Sequence, residues 1–132
     1  MADDPVVRLV ALATAALIVV VLARMVAGHR QTPQPIDLRA AGLPGGLVLF
    51  TSTECANCAT VRSMLAATGL RPREVTWELE PATMERAGVG AVPLTVVVDG
   101  DGAIIEQWTG VPSRRWVSRA VAAARRVTAP AP

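Results

Sequence analysis

Hydrophobic positions fall along this chain in three different patterns. Residues 6–27, "VVRLVALATAALIVVVLARMVA", are apolar with no recurring polar face, and the only charges, Arg8 and Arg24, lie near the two ends. As a helix this stretch would run about 33 Å, enough to cross a hydrocarbon core of roughly 30 Å. It predicts one membrane span within an N-terminal segment, residues 1–28. A cleavable signal peptide would want small residues at its cleavage site, and Val26 and Gly28 make a poor version of that pattern. A buried core helix would need a larger partner domain than the rest of the chain provides.

Residues 29–46 are rich in Pro, Gly and polar side chains and carry no sustained period, which predicts an extended linker. From Leu47 the pattern changes again. "LVLFTS" is a short continuous apolar run, as in a strand buried on both faces. Val61, Met64, Leu65 and Thr68 then recur at helical spacing over residues 56–68, with Gly69 where a helix would end. "REVTWELE" alternates, with Val75, Trp77 and Leu79 on one side. "PATMERAG" has proline at its start and glycine at its end, as a short helix should. A β-branched run, a hairpin signal at residues 99–102 and a second strand through Trp108 follow. The last helix, residues 112–127, turns Val117, Ala120, Val121 and Ala124 inward. The predicted domain, residues 47–129, therefore reads βαβαββα, an α/β fold around a central mixed sheet.

Composition supports the division. The chain has 132 residues, of which 52% are hydrophobic, more than a soluble domain of this size needs. All 13 basic residues are arginine. Arg114, Arg115, Arg119, Arg125 and Arg126 give the last helix a basic face, read as a solvated surface or one that rests on anionic headgroups. Arg8 flanks the apolar stretch on one side and Arg24, Arg30 and Arg39 on the other, a bias that favours a cytoplasmic domain. No phosphate loop, nucleic-acid module or cofactor box is present in the sequence.

The candidate chemistry lies in "TSTECANC", where Cys55 and Cys58, the only cysteines, stand three apart at the junction of the first strand and first helix of the domain. Together with "GVGAVPLTVVVDGDG" and "EQWTGVPSRRW", this arrangement resembles the thioredoxin-like superfamily over about residues 47–127. It is closest to the small membrane-anchored members of high-GC bacteria. The resemblance implies thiol–disulfide exchange through the Cys-Ala-Asn-Cys motif. It also implies a cis-proline at Pro93 facing the cysteines. Val92 and Gly110 would then line a groove for an extended substrate segment.

The residues themselves support the same chemistry. At a helix N-terminus Cys55 gains from unpaired N–H groups and the helix dipole, which favour its thiolate and make it the attacking sulfur. Cys58, one turn further in, is placed to resolve the mixed disulfide. Ala56 and Asn57 set the tightness of the turn. Three features depart from the thioredoxin pattern. Glu54 replaces the aromatic residue expected before the first cysteine and sets a negative charge beside the incipient thiolate. Leu49 stands where thioredoxins bury an aspartate. The family's first strand and helix are replaced by the anchor and linker.

Other uses of the two cysteines fit less well. Zinc wants four ligands, and beyond the cysteines the chain offers only His29 next to the apolar stretch. A disulfide across two residues closes too small a loop to constrain the unfolded chain much. Nucleophilic hydrolysis lacks a histidine base in the domain. The expected function is a membrane-anchored oxidoreductase that works as a monomer without cofactor or metal. Its partners would be a disulfide- or dithiol-containing protein, a redox partner and, through residues 6–27, the lipid bilayer, with no nucleic acid. The alternative is a thioredoxin-fold binding module that holds a protein at the membrane. Trp77, Trp108 and Met64 are read as packing residues.

Overall fold

The computed structural model describes residues 4–27 and 33–129. His29 and Arg30, which entered the metal and orientation readings, lie outside the described residues. Two units are distinct, residues 1–32 and 33–132.

The first unit holds helix α1, Pro5–Ala27. Its 23 residues span about 35 Å. Its apolar side chains are exposed around the whole circumference. A helix so long and apolar is able to cross a membrane.

The second unit is a four-stranded mixed sheet flanked by helices, in the order β1 (Gly46–Thr51), α2 (Ala56–Ala66), β2 (Arg73–Thr76), α3 (Pro81–Ala87), β3 (Leu94–Val98), β4 (Ile104–Thr109) and α4 (Arg114–Thr128). The predicted element order holds throughout. Across the sheet the strands run β2-β1-β3-β4, with β1 parallel to β2 and antiparallel to β3, and β3 antiparallel to β4. The central strands β1 and β3 are buried along their whole length, as their unbroken apolar runs require.

Alternation along those strands builds two cores. Leu47, Leu49 and Val97 point to the face covered by α2 and α4, where Val61, Leu65, Trp116 and Ala120 pack. Val48, Phe50, Val96 and Val98 point to the opposite face, against Met84 and Ala87 of α3.

Two boundaries differ from expectation. The folded unit starts at residue 33, not at Leu47, so much of the stretch expected to be a linker over 29–46 belongs to the domain. Leu38 is 1% exposed in the α3-side core, and Ile36, Ala41 and Leu43 pack against it. These apolar residues are too sparse and too interrupted by Pro and Gly to show a period, yet the sheet needs them to cover its open face. The second difference is β2, expected to run to Glu80 but ending at Thr76. Its one partner, β1, leaves the sheet after the Thr51–Thr76 pair, so nothing remains for a longer strand to bond. The chain instead turns, Leu79 and Glu80 donating their amides to the Thr76 carbonyl. Trp77 and Leu79 are consequently 44% and 78% exposed, and the expectation that Trp77 packs within a strand is corrected.

Candidate functional site

The site is built where β1 stops. Beyond Thr51 the chain makes a tight turn closed by the Cys55 amide donating to the Ser52 carbonyl at 3.3 Å. Cys55 is extended (φ −104°, ψ 107°) and caps α2, its sulfur accepting the Cys58 N–H at 3.2 Å. A sulfur thus takes the place of the serine or aspartate oxygen that usually satisfies a first-turn donor. Cys55 and Cys58 are joined as a disulfide with their Cα atoms 5.3 Å apart. Their exposures differ: Cys55 is half-buried, Cys58 only 1% exposed. Ala56 and Asn57, between them, face solvent, as does Glu54.

Two carboxylates that sequence reasoning did not single out fix the surroundings of this turn. Glu78 accepts from the Ser52 hydroxyl at 2.6 Å and from the Thr53 amide at 3.0 Å, tying the turn before Cys55 to the loop after β2. The Ser52 hydroxyl, with the Thr53 amide, holds the Glu78 carboxyl below the usual carboxylate range. Glu74 on β2 accepts the Arg62 Nε at 3.0 and 3.1 Å and the buried Thr51 hydroxyl at 3.0 Å, which clamps α2 to the sheet edge. Its carboxyl is likewise held low, chiefly by the Arg62 guanidinium. An acid on a strand and an arginine on a distant helix carry no local sequence signal of their pairing.

The remaining predicted residues lie on β3 and beyond β4. The Val92–Pro93 peptide is cis. Leu94 pairs with Phe50, so Pro93 stands at the end of β1 from which the cysteine turn departs. Gly110, at φ +87°, donates its amide to the Pro93 carbonyl at 2.8 Å, which brings Val92, Pro93 and Gly110 together. A cavity of about 330 Å³ joins the two halves, lined by Ser52 and Trp77 on the cysteine side and by Val89, Gly90, Ala91 and Val92 on the other. Trp108 packs against Trp116, the two rings tilted by 48° with centroids 5.7 Å apart, and Met64 is partly buried in the α2–α4 core.

Behind the cysteines the core is apolar. Leu49 is fully buried, and the buried polar side chains among the described residues are Thr51 and Thr95, so no carboxylate lies under Cys58. Among the described residues no three His, Cys, Asp or Glu side chains converge as a metal site requires.

This architecture matches thioredoxins of known structure. A thioredoxin of Malassezia sympodialis superposes with a TM-score of 0.51 at 15% identity, over 73% of this chain and 97% of that one. Spinach chloroplast thioredoxin f gives 0.50 at 15% identity, over 67% and 82%. The fold is that of the thioredoxins. No protein-family model matches the sequence, and no curated protein matches it.

Proposed function

We propose that the chain is a membrane-anchored thiol–disulfide oxidoreductase working through Cys55, Ala56, Asn57 and Cys58. The observation that carries this reading is the pairing of a half-buried Cys55, which caps α2, with a buried Cys58 one turn behind it. In the reduced protein the Cys58 N–H and the α2 dipole favour a thiolate at Cys55.

That thiolate attacks one sulfur of a substrate disulfide. The substrate S–S bond breaks, one substrate thiolate departs, and a mixed disulfide to Cys55 forms. Cys58 then attacks the Cys55 sulfur, which releases the second substrate thiol and closes the Cys55–Cys58 disulfide. Two electrons and two protons pass from the dithiol to the substrate, and the reverse sequence oxidises a substrate dithiol. With Leu49 in place of a buried acid, the Cys58 proton goes to water or to the departing substrate thiolate. The helix α1 supports an anchor in the bilayer, and the arginine bias supports a domain on the cytoplasmic side.

The full chain in detergent micelles tests the reading. Equilibrated with mixtures of reduced and oxidised glutathione or dithiothreitol, it should titrate between dithiol and disulfide, and it should reduce a peptide disulfide with turnover. A chain that binds peptide equally well in both states and exchanges no disulfide would be a binding module instead.

A further inference from the structure

The loop that leads to Val92, expected to line the substrate groove, is held by a residue that is not near the cysteines in sequence. It is Gln34, in the stretch that leads into the domain. Its side-chain oxygen accepts the amides of Gly90 and Ala91 at 3.0 and 3.2 Å. Its Nε2 donates to the Ala91 carbonyl at 3.1 Å and to the Thr109 hydroxyl at 2.8 Å. Its main chain is bound as well, the amide donating to Gln107 Oε1 at 3.0 Å and the carbonyl accepting Gln107 Nε2 at 3.3 Å. One side chain therefore bonds the loop before β3 to the end of β4.

The loop it holds needs such a partner. Residues 88–92 lie between α3 and β3 and are tied back to the helix at their start, where the Gly88 and Val89 amides donate to the Met84 carbonyl at 3.0 and 3.3 Å. Two of them, Gly88 and Gly90, are glycines and lose the most freedom on ordering. Val89, Gly90, Ala91 and Val92 nevertheless form a continuous wall of the 330 Å³ cavity that Ser52 closes on the cysteine side. The holding segment is itself pinned: the Asp37 amide donates to the Ala87 carbonyl at 2.9 Å, and Leu38 is sunk in the core.

We propose that Gln34 is a positioning residue for the substrate wall, setting the backbone of Gly90 to Val92 so that an extended polypeptide disulfide can lie against it beside Cys55. This inference rests on the exchange reading given above. It assigns to the segment entering the domain a part in choosing polypeptide over small-molecule disulfides, because a small disulfide touches the Cys55 sulfur and needs little of the wall.

The test compares the full chain with its Gln34→Ala variant in micelles, by amide hydrogen exchange and by steady-state turnover of a peptide disulfide and of hydroxyethyl disulfide. Peptides covering Gly90 and Ala91 should exchange faster in the variant, while those from β1 and α4 keep their protection. KM for the peptide disulfide should rise roughly 3–10-fold, the worth of one or two hydrogen bonds, with a smaller change in kcat. The efficiency ratio of peptide to hydroxyethyl disulfide should fall by a similar factor. Unchanged protection at Gly90 and Ala91 would overturn the proposal, and so would lost protection with an unchanged ratio. If the wild-type chain turns over neither disulfide, the exchange reading fails, and amide exchange by itself decides whether Gln34 holds the loop.

Discussion

Thr95 lies directly opposite Leu49 on the β3–β1 ladder, both fully buried, and the Thr95 hydroxyl has no hydrogen-bond partner among the described residues. An unpaired buried hydroxyl costs about 1–3 kcal/mol relative to an apolar group of the same shape. Thr95→Val should therefore stabilise the domain, raising the thermal midpoint by roughly 4–8 °C for each kcal/mol gained. Circular dichroism of the full chain in detergent reads this, and a lowered midpoint would overturn it.

The unequal exposure of the two cysteines predicts unequal trapping. Cys58→Ser should accumulate a mixed disulfide between Cys55 and its partner, and Cys55→Ser should accumulate none. Serine is the right probe at position 55 because its oxygen still caps α2, whereas alanine would cost about 1 kcal/mol of helix stability and confuse the comparison. Non-reducing gels after incubation with a peptide disulfide give the answer. Equal trapping by both variants would reverse or abolish the assignment.

Acid should destabilise the domain through three carboxylates. Glu74, Glu78 and Glu80 are held below the ordinary range by the Arg62 guanidinium, the Ser52 hydroxyl and the Arg73 guanidinium respectively. In the unfolded chain they titrate near 4.3, so below about that pH the unfolded state binds more protons and stability falls as pH falls through the lower native values. The thermal midpoint should be level above about pH 5.5 and drop below about 4.5. Glu74→Gln should flatten that drop more than Glu80→Gln, because Glu74 accepts the buried Thr51 hydroxyl as well as the Arg62 guanidinium. Identical slopes in the two variants would contradict this order.

The early start of the domain predicts where a soluble fragment can begin. Residues 33–132 should fold cooperatively, whereas 47–132 lacks Leu38, Ile36, Leu43 and the Gln34 contacts. Burial of Leu38 by itself contributes about 1.5–3 kcal/mol, a large part of the roughly 5–15 kcal/mol that small domains possess. Denaturant titration of both fragments checks this, with the shorter expected to unfold at much lower denaturant or not to fold.

Sidedness is open to chemical labelling. In intact cells treated with an impermeant phosphine reductant, an impermeant maleimide should leave Cys55 and Cys58 unmodified if the domain faces the cytoplasm. Labelling that matches that of lysed cells would place it outside.

What the sequence reveals and what it hides follow from the range of the interactions. Strand and helix order was legible because periodicity is local: β1 and β3 are unbroken apolar runs, α4 carries a strict inward stripe, and Pro81 and Gly88 bracket α3. The Cys55–Cys58 turn was legible because both cysteines sit at one junction. The end of β2 was not, since it depends on where its partner leaves the sheet and not on "TWELE" itself. Gln34 was not legible either. Nothing in "QTPQPID" distinguishes it from a solvated glutamine, and its partners are 56 to 75 residues away.

That separation also bears on how the molecule comes into being. Gln34 leaves the ribosome long before Thr109, and at about 5–20 residues per second the 75 intervening residues take roughly 4–15 s to make. Both cysteines and the helix they open are synthesised by Ala66, before Glu78, whose carboxylate ties down the turn that carries them. During synthesis there is thus an interval in which two thiols exist on a nascent chain whose selective wall has not been assembled, and in that interval any disulfide within reach is a possible partner.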